Sequence, residues 1–370
     1  MHLYLHIPFC KQACHYCDFH FSTNLSKKKE LVNGLVREIE LQKDYLNNKH
    51  LNTIYFGGGT PSLLDKEELS SVFEAINRFY TVDSKAEVTL EANPDDVNDK
   101  SLQLWKSLGI NRLSLGIQSF DEAQLKYLNR AHTAEHAEVC IQKSLDAGFK
   151  DFSIDLIYGI PHPTHDIWKK NLEKALSYSF THLSAYCLTI EDKTVFGHQL
   201  KKKQMKPIDE DFAAEQFEIL LRETEKHQIE QYEISNFARN HQYARHNTSY
   251  WKGEPYLGIG PSAHSFDGIN RQWNVSNNGL YMKTLAEGKV PFEVEQLSEK
   301  DLANELIMTG LRTKWGADLS KITSLVDEDF NRTLSFYLDH QMLQKVGETI
   351  FLTPQGKLQA DRIASDLFFT

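Results

Sequence analysis

Three cysteines fall within eight residues, Cys10-Lys11-Gln12-Ala13-Cys14-His15-Tyr16-Cys17, a C-x3-C-x2-C spacing. A loop this short can bring three thiolates onto one inorganic cluster, and thiolate is the usual protein ligand of iron–sulfur centres. Three ligands for four irons leave one iron without a protein donor. An open coordination position of that kind separates a metal site that does chemistry from one that only holds structure. The same residues admit a zinc knuckle with His15 or His20 as fourth ligand, although structural zinc favours paired C-x2-C arrangements. Three buried thiols are a poor reading of so short and polar a stretch. The five cysteines are an odd number and do not make a disulfide framework; they point to a reducing, cytoplasmic setting.

Further along the chain, other polar groups stand where ligands are usually held. Gly57-Gly58-Gly59-Thr60-Pro61 lets a ligand approach bare backbone, whose N–H and C=O groups can hold a charged amino-acid moiety; the alternative is a tight strand-to-helix turn. Glu91 in Leu90-Glu91-Ala92-Asn93-Pro94, Gln118 in Gly116-Ile117-Gln118 and Asp155 in Ser153-Ile154-Asp155-Leu156 lie among apolar neighbours. Burying an acid there is costly unless something pairs with it, either a ligand or a structural ion pair with Arg112 or Arg130. Cys140 and Cys187 sit in apolar patterns and read as buried free thiols.

The elements that must position these groups alternate between short β-rich runs and longer helical periods. Candidate strands are His2–Ile7, Thr53–Phe56, Ala86–Glu91, Arg112–Gly116, Phe152–Tyr158 and Leu183–Leu188. Between them lie amphipathic stretches such as Lys29–Gln42 and Glu68–Tyr80, the latter opened by Asp65 with Glu68 three residues on, a capping-box spacing. Repeated β-then-α units argue for parallel strands joined by right-handed crossovers, in an α/β fold that is either a full or partial barrel or an open doubly wound sheet. The polar motifs fall at the carboxyl ends of these strands, where barrel chemistry sits.

Around residue 200 the rhythm changes. Lys201–Pro207 reads as a linker, followed by a helix near Asp211–Gln228 and an aromatic, His-rich and Gly-rich region from Gln231 to Trp273. From Leu297 the chain is again helical, ending in a hairpin over Leu343–Thr353 centred on Gly347 and a last helix after Pro354, a winged-helix-like tail. This gives three segments: a βα barrel over 1–200, a barrel-closing region over 201–296 and a smaller, mainly helical C-terminal domain over 297–370. A net charge of -10 argues against a nucleic-acid surface, and no apolar run is long enough to span a bilayer.

The cysteine motif resembles the signature of radical S-adenosylmethionine (SAM) enzymes. Its approach, Tyr4-Leu5-His6-Ile7-Pro8-Phe9-Cys10, is similar to the opening of their coproporphyrinogen-oxidase-like branch, which includes an anaerobic coproporphyrinogen III dehydrogenase and heme chaperones. The resemblance extends from Tyr4 to the C-terminal tail. It implies a partial (β/α)6 barrel, a [4Fe-4S] cluster on Cys10, Cys14 and Cys17, and SAM bound against it, to be cleaved to methionine and a 5'-deoxyadenosyl radical. It also implies that Gly58, Gly59 and Thr60 hold the methionine amino group. By the same resemblance Glu91, Gln118, Arg130 and Asp155 contact the amino acid or ribose, and Tyr4 and Tyr16 line the ligand.

Two departures separate the members of the branch. The dehydrogenases continue the motif with a fourth cysteine two residues on, where this chain has Phe19, and they carry an extension before the first cysteine, where nine residues stand here. His246-Asn247-Thr248-Ser249-Tyr250-Trp251 is similar to the HNxxYW motif of the heme chaperones. An exposed His246 imidazole can ligate heme iron, and Tyr250 and Trp251 offer a flat apolar surface to a porphyrin. The alternative is a packed histidine, with the aromatics seating a loop on the barrel mouth. His241 and His264 are secondary candidates, and Gly258–His264 reads as a loop sealing the barrel. The expectation is a heme chaperone that delivers heme to an acceptor hemoprotein and takes electrons from a donor, leaving a membrane-associated acceptor open. A porphyrinogen dehydrogenase is the runner-up, and a tRNA-modifying enzyme, disfavoured by the acidic charge, a third reading.

Overall fold

Parallel strands covered on both faces usually read as unbroken apolar runs. The strands of this protein instead alternate. In β1 (His2–Ile7), Leu3, Leu5 and Ile7 are buried on one face while His2, Tyr4 and His6 occupy the other. The same alternation runs through β2 (His50–Gly58), β3 (Thr81–Ala92), β4 (Arg112–Gln118), β5 (Asp151–Tyr158) and β6 (His182–Cys187). Ile54, Phe56, Leu90, Leu113, Leu115, Ile154 and Leu183 join one core of 55 buried residues with the helices outside. Burying each such side chain stabilises the fold by roughly 1.5–3 kcal/mol. The opposite face carries Thr53, Glu87, Glu91, Arg112, Ser114, Asp155 and His182 into a polar interior, so the outer face holds the barrel together and the inner face is free for chemistry.

The computed structural model describes residues 1–370. β1 to β6 are sequential neighbours and all parallel, which requires a crossover between each pair. The helices Lys28–Leu41, Lys66–Phe79, Asp99–Ser107, Ala134–Asp146 and Asp166–Leu176 supply these. The capping box expected at Asp65 and Glu68 is formed.

The six strands do not close on themselves. β6 pairs antiparallel with β8 (Asn236–Arg239), which pairs with β7 (Ile229–Gln231). On the other side β1 pairs parallel with β9 (Tyr256–Ile259), and β10 (His264–Phe266), β11 (Asn270–Asn274) and β12 (Phe292–Gln296) continue the sheet antiparallel to its end. The segment expected as a sealing loop, Gly258–His264, is therefore part of β9 and the turn into β10. Gly258 is required there, because a Cβ would lie 2.0 Å from the His264 carbonyl oxygen. The short helix Arg245–Trp251 closes the floor of the barrel, at the amino ends of the strands.

A second core of 16 buried residues lies between Ala303 and Leu367. It is built from the helices Glu299–Leu311, Glu328–Asp339 and Ala360–Asp366 around β13 (Ala317–Asp318), β14 (Leu343–Val346) and β15 (Thr349–Leu352). The β14–β15 hairpin turns on Gly347 at φ +60, as its sequence position implies.

Candidate cofactor site

The loop after β1 is fixed at both ends and in the middle. Cys10 N donates to Ser22 O at 3.1 Å and Ser22 N to Pro8 O at 2.9 Å, closing its base. Lys11 pairs with Asp95 at 2.6 Å and also with Asp96. Gln12 Nε2 donates to Asn129 Oδ1 at 2.7 Å, and Asn129 Nδ2 to Ala13 O at 2.7 Å. These ties hold the cysteine loop over the carboxyl ends of β3 and β4, so the thiols face the barrel mouth.

Cys10, Cys14 and Cys17 line one cavity of about 450 Å³, together with Tyr16, Gly58, Gly59, Thr60, Glu91, Gln118, Arg130 and Asp155. The strands thus bring together eleven of the residues singled out in the sequence. No group of three or more His, Cys, Asp or Glu side chains converges on a point that would hold a single metal ion. A tetrahedral zinc needs all its donors within about 2.3 Å of one centre, and the two histidines that could complete such a site each have a ring nitrogen engaged elsewhere. His15 has its Nδ1 on the Tyr127 carbonyl at 3.1 Å, and His20 its Nε2 on Asn278 Oδ1 at 2.7 Å. A cubane places its three thiolates on three different irons, and Cys10, Cys14 and Cys17 all line the one cavity.

The acids show what else the cavity suits. Glu91 accepts from the Tyr55 hydroxyl at 2.8 Å, and Asp155 accepts from Ser114 and Ser153 at 2.8 and 2.7 Å. Neither forms the structural ion pair that the sequence left open: Arg112 reaches Asp151 at 3.4 Å instead, and Arg130 pairs with no carboxylate. Burial pushes the Glu91 carboxyl up to about 7 against the Tyr55 donor, and the Asp155 charge pushes the same way. Two half-buried acids without an ion pair, facing one cavity, suit a ligand that brings its own positive charge. SAM, with a sulfonium and an ammonium, meets that requirement.

Arg130 Nη1 donates to Cys14 Sγ at 3.3 Å and to the Tyr16 hydroxyl at 3.4 Å, while Nη2 donates to Asn93 Oδ1 at 2.6 Å and Gly116 O at 3.0 Å. Its cluster-side contact was not evident from sequence. Gln118 reaches the cavity from φ +63, at a register shift in β4; a left-handed, non-glycine residue beside a bulge marks a side chain re-aimed at some cost. The glycine run has a packing reason as well as a ligand-facing one. A Cβ on Gly58 would lie 2.6 Å from His6 Nδ1, and one on Gly59 would lie 2.7 Å from the Phe9 carbonyl oxygen.

Several expectations need correction. Tyr4 is not among the residues that line the cavity: it stands beside Tyr55 in the β1–β2 register, its hydroxyl 3.2 Å from His6 Nδ1 and its ring stacked 6.1 Å from Tyr55. Cys140 is buried, but Cys187 is exposed, because the end of β6 stands at the open mouth and lines the cavity. The exposed imidazole expected at His246 is instead 1% exposed, with Nδ1 2.6 Å from Thr53 Oγ1 and Nε2 2.8 Å from the Tyr250 hydroxyl. It lies at the amino ends of the strands, about 17 Å along β1 from the cysteine loop at 3.3 Å per residue. Trp251 faces Arg312 of the C-terminal domain at 5.7 Å rather than a shared surface with His246. His241 is exposed and held by Glu230 and Tyr243, and His264 is exposed on β10. Tyr55, Asn93, Ser114 and Tyr186 line the cavity without having been singled out. For Tyr55 and Ser114 the signal was present, since each is the inward residue two positions before Gly57 or Gly116.

A partial parallel barrel with three cysteines in the loop after its first strand defines a radical SAM protein. Residues 4–175 match the Radical SAM superfamily and residues 297–358 the HemN C-terminal domain. The chain is 32% identical over 367 residues to the heme chaperone HemW of Bacillus subtilis (strain 168), covering 97% of both proteins. It is 31% identical over 357 residues to the heme chaperone HemW of Lactococcus lactis subsp. lactis (strain IL1403), covering 95% of this chain and 93% of that one. The chain belongs to the heme chaperone HemW family. A solved coproporphyrinogen III oxidase (HemN) from Escherichia coli, titled a radical SAM enzyme, has the same fold with a TM-score of 0.85 at 20% identity, over 99% of this chain and 89% of that one. In radical SAM proteins the [4Fe-4S] cluster supplies the electron that cleaves SAM, and the residues of this cavity fit both groups.

Proposed function

We propose that this protein binds heme and hands it to an acceptor hemoprotein in the cytoplasm, using the radical SAM cavity as part of the heme-handling site. The observation that carries this reading is Phe19. It stands two residues after Cys17, where a dehydrogenase of the branch has a fourth cysteine, and it is 66% exposed while lining the cavity, as do Phe21 and the exposed Tyr186. Aromatic rings left in water at a cavity rim suit a flat apolar ligand that covers them.

Cys10, Cys14 and Cys17 hold the cluster in this reading. Glu91 and Asp155 accept the ammonium and ribose of SAM, the backbone of Gly57–Gly59 and the Thr60 hydroxyl flank the amino acid, and Gln118, Arg130 and Tyr16 complete the wall. An electron donor reduces the cluster, and the free cysteines suit a reducing compartment. His246, Tyr250 and Trp251 are not the resting heme surface, since ligation through His246 would require its helix to leave the barrel floor.

The complete cofactor cavity keeps a second reading in play, oxidative decarboxylation of coproporphyrinogen III. Anaerobic titration of cluster-loaded protein with heme tests the first reading: a saturable Soret shift that weakens about tenfold or more in Phe19→Ser is expected, against the roughly 1–3 kcal/mol that an aromatic stacking contact contributes. No saturable binding would refute it.

A further inference from the structure

The histidine of the barrel floor is connected to the SAM end of the cavity. Arg245 N and His246 N donate to the two oxygens of Glu87, at 2.8 and 2.9 Å, which pins the start of the Arg245–Trp251 helix to the inner face of β3. The His246 ring is then held at both nitrogens, by Thr53 and Tyr250, and Thr53 is shared with His2 at 2.9 Å. Its face stacks on Tyr55 at 5.0 Å and 25°. Tyr4 stacks on the same Tyr55 at 6.1 Å. Tyr55 is thereby confined between neighbours, and its hydroxyl is the one side-chain donor to Glu91, at 2.8 Å.

We propose that His246 is a positioning residue for SAM: by packing on Tyr55 from the barrel floor, it fixes the hydroxyl that aims the Glu91 carboxylate at the ligand's ammonium. The helix that carries it acts as a wedge under the cofactor cavity. Removing the imidazole leaves a void beside Tyr55, whose ring can then turn and release Glu91. A carboxylate that must be ordered when the ligand arrives binds it less well than one already in place. This rests on the assignment of Glu91 to the SAM ammonium.

The test measures SAM affinity by calorimetry on the cluster-loaded protein, with cluster content and the heme absorption spectrum read on the same samples. His246→Ala and Tyr55→Phe should each weaken SAM binding about tenfold, the scale of one hydrogen bond to a charged group. The double variant should be no worse than the weaker single one, because both act on one link. Cluster content and heme spectrum should stay unchanged in both. Tyr55→Phe retains the ring, and so keeps the test valid if His246→Ala does not fold. Wild-type SAM affinity in Tyr55→Phe, or an altered heme spectrum in His246→Ala, overturns the proposal. Glu91→Gln separates the two layers: unchanged SAM affinity there refutes the Glu91 assignment, whereas a loss there with none in Tyr55→Phe refutes only the role of the floor.

Discussion

Arg130 Nη1 donates to Cys14 Sγ across 3.3 Å, tying the segment after β4 to the cysteine loop. The same guanidinium holds Asn93 and the Gly116 carbonyl, so one side chain braces the Cys14 sulfur against two strand ends. An N–H donated to a thiolate stabilises its charge, and partners of this kind hold metal ligands in place. Arg130→Ala should make the cluster about 10- to 100-fold easier to strip, the usual cost of losing such a partner. Chelator titration followed by iron and sulfide analysis measures this; retention equal to wild type would remove Arg130 from the cluster's support.

Replacing Cys10, Cys14 or Cys17 singly by serine should abolish the cluster, because no spare thiol stands in the loop. Cys187 is exposed on the same cavity but belongs to the end of β6, across from that loop. Cys187→Ser should therefore keep full iron and sulfide content. A cluster that survives loss of a motif cysteine yet fails without Cys187 would reassign the ligand set.

Glu38 makes stability depend on pH. It is fully buried, accepting from Gly260 N, Asn274 and the Tyr281 hydroxyl. Burial pushes its carboxyl from 4.5 up to about 7 against those donors. Because the folded value lies above the unfolded one, the stability gained by keeping it protonated is fully present below 4.5 and is lost as pH rises through about 7. Wild type should lose on the order of 1–3 kcal/mol across that window relative to Glu38→Gln, measured by urea denaturation at several pH values. Parallel pH profiles would contradict this.

Two glycines with positive φ should respond differently to alanine. Gly58 stands at φ +105 with the His6 ring where a Cβ would go, whereas Gly347 stands at φ +60 in open space. Gly347→Ala should cost only the left-handed backbone, about 1 kcal/mol. Gly58→Ala adds the clash with His6 and should cost more, in the range of about 1–3 kcal/mol for a strained residue plus the displaced ring. Thermal melts compare them, and equal losses would mean that His6 moves aside freely.

Much of this architecture was legible in the sequence, for a physical reason. The six strands follow from β-rich runs closed by glycine and polar residues, and β1 has the ends its sequence implies. The cavity residues follow from strand ends, where a parallel barrel exposes its inner face. What escaped the sequence depends on elements far apart in the chain. The Arg130–Cys14 contact spans 116 positions, and the floor contact between His246 and Thr53 spans 193. An HNxxYW hexapeptide reads the same whether its imidazole faces water or a barrel floor; only the pairing of β9 with β1 and the Glu87 carboxylate under the helix decide between them. Cys187 was misjudged because an apolar strand pattern does not show where the sheet opens.

Heme handling by this radical SAM cavity and porphyrinogen decarboxylation by it lead to different products. The most direct test supplies anaerobic, cluster-loaded protein with heme, an apo-hemoprotein acceptor, SAM, a reductant and coproporphyrinogen III together. Saturable heme binding and transfer to the acceptor are expected, with coproporphyrinogen III left intact. Decarboxylation of coproporphyrinogen III without heme transfer would contradict heme handling.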